Sequence, residues 1–442
     1  MTEKVSRARR IGALVTAAAL AVVLAACSGP SVALTDFPKQ AEGDFSKDTR
    51  TAITKAVEAA VTQSGSSGAI VGVWAPWAGS LVEGVGTTKA GGSTKMDPSM
   101  VYRIADGTRP MTCTVLLQLV DEGKVKLDDK VSDTLPQVQG IEGITYGQLC
   151  QNTSGLGSYS GALQTQFVTN PTRNWSMAEI LANGLSTGTR TSPGALYASS
   201  DTGYILLGMA LQQITGQSWQ SLYNHYIFSP LDMKQSSFPE VQNVELPGST
   251  YPHGYTTTRL ADGTFQCDTP VDDTKLSSSM VWTAGGVVSS IGDMQRFTQA
   301  MASGALLAPG TYKKQWANPV PLGGDSPAWQ SYGIGAMQLG PLRGQYGAIP
   351  GYLSAAFADP VSGLTVVVML NNSTAGAGFV KELTMQLASI GSKAAPVSGQ
   401  KAPDIQLPWS EQQAAEALAA AAMTCAPPAA APTDPPAEPA AG

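Results

Sequence analysis

Strand-like segments lie near both ends of this chain and helical segments lie between them, an order that constrains the fold more than any other feature. Ala69-Ile70-Val71-Gly72-Val73-Trp74 and Ser80-Leu81-Val82-Glu83-Gly84-Val85-Gly86 predict the two strands of a hairpin around a Pro/Gly turn. Ala355 to Phe357 and Thr365 to Asn371 predict late strands, followed by a helix near Phe379 to Ile390. The stretch from about 145 to 300 reads as helix and loop, with helices over Ala178 to Leu185, Gly203 to Ile214 and Ser218 to Ile227. One α/β layer with an inserted helical lobe accommodates that order. Two further helices are expected. One runs from Asp48 to about Gln63; the other, from Pro110 to Glu122, has Leu116, Leu119 and Val120 at helical spacing and Gly123 as a stop.

The N-terminus reads as an address. Lys4, Arg7, Arg9 and Arg10 precede an apolar run from Ile11 to Ala26, the plan of a bacterial secretory signal, and the run of 16 residues is short for a membrane span. It ends Leu24-Ala25-Ala26-Cys27, resembling a lipobox at which residues 1–26 are removed and Cys27 is lipidated. Arg9-Arg10 leaves twin-arginine and general secretory export both open. Removing residues 1–26 takes away four basic residues and one acid, so the net charge of -6 becomes -9. The expected product is an acidic domain anchored by lipid to the outer face of a bacterial cell membrane, with 27–48 as tether. With 27 basic against 33 acidic residues and no Lys/Arg stripe, a nucleic-acid partner is excluded.

Four cysteines remain after lipidation: Cys113, Cys150, Cys267 and Cys425. Outside the cytoplasm they read as two disulfides in one of three connectivities. There is no Cys-x-x-Cys pair, and His225 and His253 are the only histidines, so neither a metal site nor a cofactor is expected. From Ser392 the chain turns Ala/Pro-rich. Ser410 and Glu411 can cap a short helix through Ala422 within an extension 392–425, and the tail 426–442 reads as disordered.

At Tyr102-Arg103-Ile104, followed by a helix ending Gln118-Leu119-Val120-Asp121-Glu122-Gly123-Lys124-Val125, the chain resembles the serine β-lactamase and penicillin-binding-protein family, in its branch of class C β-lactamases and D-alanyl-D-alanine carboxypeptidases. Thr153-Ser154-Gly155-Leu156, Thr202-Gly203-Tyr204-Ile205-Leu206-Leu207-Gly208, Ile227-Phe228-Ser229-Pro230-Leu231-Asp232-Met233 and Ala284-Gly285-Gly286-Val287-Val288-Ser289 agree in order and spacing. With Pro350-Gly351-Tyr352 they extend the resemblance over about residues 50 to 390. It implies a β-lactamase/transpeptidase-like α/β fold, an antiparallel sheet flanked by helices with an inserted helical lobe, over a domain 49–391. It also implies that Cys113 pairs with Cys150, because their segments pack together in that fold. Cys267 is then left to join Cys425 and pin the C-terminal helix onto the middle lobe.

The family acylates the serine of a Ser-x-x-Lys motif, whose neutral amine accepts the hydroxyl proton. Here that motif falls on Asp106-Gly107-Thr108-Arg109. Asp106 cannot form the serine ester, and Arg109 stays protonated and cannot be the base. At i, i+3 the two are expected to pair, with Arg109 holding Asp106 ionised. Pro110 disfavours α geometry at Arg109, so the helix is expected to start late, with Asp106 as its capping side chain.

The family's Tyr-x-Asn motif falls on Ser199-Ser200-Asp201. Ser199 keeps a hydroxyl but no phenol, Tyr197 is expected to face elsewhere, and Asp201 adds a carboxylate that repels an anionic peptide terminus. A turn and N-cap before the next helix is the plainer role for these residues. The Lys/His-x-Gly strand falls on Gln345-Tyr346-Gly347, with Gln345 in place of the cation. The one literal Ser-x-x-Lys, Ser398-Gly399-Gln400-Lys401, lies before Pro403 with no amphipathic helix to present it. Ser154 and Ser200 are pocket hydroxyls without a basic partner.

Joint replacement at Asp106, Arg109, Ser199, Asp201 and Gln345 points to an inactive family member. On this reading it is a cell-envelope lipoprotein that binds a cell-wall peptide or an envelope protein. The rival reading is a family hydrolase, an esterase, D,D-peptidase or β-lactamase-like enzyme, working with Asp106 and Asp201 as acid and base.

Overall fold

Thr365-Val366-Val367-Val368-Met369-Leu370 shows no alternation of polar and apolar residues because both of its faces are covered. Val366, Val368 and Leu370 enter one buried cluster, while Val367 and Met369 enter the other. A computed structural model describes residues 37–188 and 191–426 of the chain. The signal segment 1–26, Cys27 and the tail beyond Ala426 lie outside the described residues.

In chain order, helix α1 (Lys47–Gln63) leads into the hairpin of β1 (Gly68–Ala75) and β2 (Gly79–Gly86). Strand β3 (Val101–Arg103) precedes a 3₁₀ turn, Ala105–Gly107, and α2 (Thr108–Asp121). The lobe carries α3 (Tyr146–Cys150), α4 (Tyr159–Thr169), α5 (Met177–Ser186), α6 (Asp201–Thr215) and the small pair β4 (Tyr255–Thr256) and β5 (Val271–Asp272). Strand β6 (Val288–Ser290) and α7 (Ile291–Ser303) return the chain to the sheet. Strands β7 (Val320–Pro321), β8 (Gln330–Tyr332), β9 (Met337–Leu339), β10 (Leu342–Ile349), β11 (Tyr352–Ala358) and β12 (Thr365–Leu370) follow, then α8 (Ala377–Ser392) and α9 (Glu411–Ala420).

The main sheet has eight strands in the order β2-β1-β12-β11-β10-β9-β8-β7, every neighbouring pair antiparallel. N-terminal and late strands thus meet at its centre, where Ala69 pairs with Leu370 and Trp74 with Thr365. Helices α1 and α8 cover one face through Ile53, Val57, Phe379 and Leu383. Helix α7 covers the other through Met294 and Phe297. It therefore belongs to the sheet layer, and the inserted lobe ends before it.

The extension folds back: α9, with the capping box of Ser410 and Gln413, buries Ala414 and Leu418 in the α1/α8 cluster. The disulfides are Cys113–Cys150 and Cys267–Cys425, the pairing the resemblance implies. The second bond pins the segment after α9 to the loop between β4 and β5, where Phe265 bridges Cys425.

Two expectations are corrected at the first motif. Helix α2 starts at Thr108, before Pro110, directly after the 3₁₀ turn, so the helix does not start late. Pro110 sits in the first turn, where a missing N–H leaves no hydrogen bond unmade. Asp106 caps nothing: no side-chain cap hydrogen bond is present at either start, and its carboxyl turns to Arg109 instead. The expected helix Ser218 to Ile227 is also divided, into Trp219–Tyr223 and a π-turn over Asn224–Phe228.

Candidate functional site

The 3₁₀ turn is fixed from below. The Ser354 hydroxyl on β11 donates to the Ile104 carbonyl, and the Val287 amide donates to the Thr108 hydroxyl at 3.1 Å. Ala105 takes a left-handed φ of 49°, a conformation that costs a non-glycine residue about 1–2 kcal/mol. That backbone carries Asp106 against strand β10. At Gly347 an added Cβ would fall 2.3 Å from the Asp106 Cβ, so only glycine admits the turn.

Arg109, on the first turn of α2, is the hub. Its Nη1 lies 3.1 Å from the Asp106 carboxylate and donates to the Ser199 hydroxyl at 2.9 Å, while Nη2 donates to Asp201. The guanidinium carbon stands 5.2 Å from the centre of the Tyr204 ring. Side-chain exposure is 7% for Arg109, 16% for Asp201 and 20% for Asp106. Asp201 begins α6, whose cap is Ser200, and it also accepts from the Ser158 hydroxyl at 2.9 Å. Asp106, Arg109, Ser199 and Asp201 therefore meet in one ion-paired cluster, the last two brought in from some 90 residues away along the chain.

Gln345 and Gly347 lie on β10 beside it. The Tyr332 hydroxyl donates to the Gln345 carbonyl oxygen at 3.1 Å and lies 3.1 Å from the Tyr204 hydroxyl, to which Asn152 donates. Tyr197 does not face elsewhere: its ring centre lies 5.3 Å from that of Tyr332, the two rings tilted by 39°, because the Pro193–Ser199 loop brings it to the end of β8. Ser158, Tyr204, Tyr332 and Asn152 are site residues the sequence reading missed. Asn152 and Tyr204 lie beside or within matching segments, whereas Ser158 and Tyr332 carry no local signal.

The protonation states separate the two carboxylates. Burial raises Asp201, but the Arg109 charge and hydrogen bonds from Ser160, Ser158 and Arg109 more than offset it, holding Asp201 below the usual carboxylate range. Burial pushes Asp106 up to about 7; Arg109 opposes the rise and Asp201 adds to it. The expectation that Arg109 keeps Asp106 fully ionised is therefore corrected. One guanidinium is divided between two carboxylates, and Asp201 has the closer contact and the extra donors. Burial also raises Tyr204 and Tyr332, which stay neutral phenols.

No strong base faces a nucleophile in this arrangement. The nearest approach to an activated hydroxyl is Ser158 on Asp201, whose depressed basicity makes it a poor proton acceptor. The Ser154 hydroxyl accepts from the Leu156 amide, and the Ser200 hydroxyl donates to the Gly157 carbonyl, so both serve the backbone. Ser398-Gly399-Gln400-Lys401 is an exposed non-helical loop. His253 pairs with Asp272 at 3.1 Å and His225 packs on Tyr226, both outside the cluster. Among the described residues, no group of three or more His, Cys, Asp or Glu is placed to hold a metal ion.

Comparison with known proteins bears on the family and the fold. The Beta-lactamase family profile matches residues 53–389. PbpX of Bacillus subtilis (strain 168) is 24% identical over 278 residues, 62% of this chain and 63% of its own length. Penicillin-binding protein 4 of Amycolatopsis lactamdurans is 27% identical over 162 residues, 35% of this chain and 41% of its own. The chain thus spans less than two thirds of either relative. Among solved structures, a D-stereospecific amidohydrolase from Streptomyces sp. superposes with a TM-score of 0.65 at 25% identity, over 74% of this chain and 95% of that one. The penicillin-binding protein from Bacillus halodurans superposes at 0.60 with 21% identity, over 73% and 95%. A profile matched along the whole α/β domain, and a fold shared with both of these structures, make the chain a member of the Beta-lactamase family.

Proposed function

We propose that this protein is a non-catalytic member of its family, an exported envelope lipoprotein anchored through Cys27 that binds a cell-wall peptide or an envelope protein at the motif cleft or beside it. One observation carries the reading. The Arg109 guanidinium, buried and permanently charged, is engaged by Asp106, Ser199 and Asp201 where the family's chemistry needs a free hydroxyl and a neutral amine. Losing the nucleophile and its base leaves at most the roughly 10³ to 10⁴-fold contribution of binding and oxyanion stabilisation. A screen of esters, D-amino-acid peptides and amides is expected to give no turnover that differs between the wild type and Asp201→Asn.

A second reading has one observation in its favour. Asp106, with its proton affinity raised to about 7 and its side chain a fifth exposed, is poised for proton transfer beside an ionised Asp201, the acid and base of an altered hydrolase. The structural likeness to a D-stereospecific amidohydrolase makes amides its first substrates to try. Turnover abolished by both Asp106→Asn and Asp201→Asn would establish this reading and end the first.

A further inference from the structure

We propose that the exposed edge of Asp106 binds a primary ammonium group, so that the motif site takes the amino end of a ligand and refuses a carboxylate end. The inference rests on the binding function proposed above and deepens it by assigning a ligand class. Three observations converge on it.

The first is charge. Arg109 supplies a single positive charge to two carboxylates, and Asp201 holds the closer share through Nη2 together with the Ser158 hydroxyl. Asp106 has only the remaining share of Nη1, which also serves Ser199. With both acids ionised the cluster carries one net negative charge. Lys381, the cation whose charge is felt at Tyr346, is already paired with Glu382 at 2.9 Å.

The second is access. Asp106 keeps 20% of its side-chain surface and neighbouring Ser199 is exposed, so a small cation reaches the carboxylate without breaking the buried Arg109–Asp201 pair. Gly347 keeps the strand beside it free of a side chain.

The third is the surround. Half-buried Tyr197 stands near Asp106 and Arg109, and its neutral phenol offers a carboxylate no cation, while Tyr346, next to Gly347 on β10, packs on the α1/α8 face instead. A carboxylate entering here meets two acids and a guanidinium whose Nη1 and Nη2 already face Asp106, Ser199 and Asp201 and whose unpartnered Nε is buried. An ammonium meets the one acid that is only partly neutralised.

Binding an ammonium requires the ionised form of Asp106, which is only about half populated near pH 7 because of burial and the neighbouring Asp201 charge. The charged groups that set this are Arg109 from α2 and Asp201 from α6, with the phenols of Tyr197, Tyr204 and Tyr346 near enough to feel the Asp106 charge and raised above their usual range. Affinity for a primary ammonium, which stays charged across this range, therefore rises with pH through about 7, and binding releases at most one proton, from Asp106.

Benzylammonium and benzoate, similar in shape and opposite in charge, provide the test by NMR titration of the full soluble domain at pH 6 and pH 8. Benzylammonium should perturb resonances around Asp106 and bind roughly tenfold tighter at pH 8, while benzoate does not bind. Asp106→Asn, nearly isosteric, should weaken benzylammonium at least tenfold at pH 8 and remove the pH dependence, with an unchanged near-UV spectrum as the folding control. Equal or tighter binding of benzoate, absence of benzylammonium binding, or an unaltered affinity in Asp106→Asn would overturn the proposal. Hydrolytic turnover would sink the non-catalytic reading separately and leave the charge selectivity standing.

Discussion

Arg109 decides what the motif positions do, and its replacement has a predictable cost. Arg109→Met leaves Asp106 and Asp201 side by side without their cation, and breaking such a buried pair costs about 3–5 kcal/mol, measured by denaturant unfolding. Asp106 acts in the opposite direction. Its carboxyl holds a proton up to about 7 in the folded protein and only up to about 3.8 unfolded, so the unfolded chain loses its proton first as pH rises. Wild-type stability relative to Asp106→Asn should therefore fall between pH 4 and pH 7, by at most about 1.4 kcal/mol per unit. Asp201, held low, stabilises at all pH values above the usual carboxylate range and is lost only below it. The Asp106–Arg109 contact is legible in the sequence because i, i+3 spacing alone brings such side chains together. The Arg109–Asp201 pair is not, since 92 residues separate the partners and only the packing of α6 against α2 unites them.

Elements with a strong period are equally legible. Helix α2 and the β1–β2 hairpin announce themselves through apolar spacing, and β12 through a continuous apolar run. Strand β10 does not, because Leu342–Ile349 contains two glycines and no alternation; only the family resemblance places Gln345-Tyr346-Gly347 on a strand, and the structure sets that strand against the 3₁₀ turn. That contact is testable: Gly347→Ala forces a Cβ to within 2.3 Å of Asp106 and should cost about 1–3 kcal/mol. The Cys113–Cys150 bond closes a loop with a sequence separation of 37 and ties α2 to α3, the helix just before Asn152. Replacing both cysteines by alanine should lower stability by about 2–4 kcal/mol, read as a fall in Tm. Replacing Cys267 and Cys425 releases the segment around Phe265 and leaves the resonances of the Arg109 cluster unchanged.

At the scale of the whole molecule, the chain keeps the scaffold of a hydrolase while its motif positions are occupied by an ion pair. The antiparallel sheet, both flanking helical layers and the strained turn at Ala105 are in place, so the architecture itself does not forbid acylation. The non-catalytic reading turns on the lack, among the described motif residues, of an attacking hydroxyl paired with a base, and the most direct measurement looks for the covalent product. Intact-protein mass spectrometry after incubation with a penicillin and with a fluorophosphonate should return the unmodified mass. A stoichiometric adduct, lost in Asp106→Ala, would contradict the account.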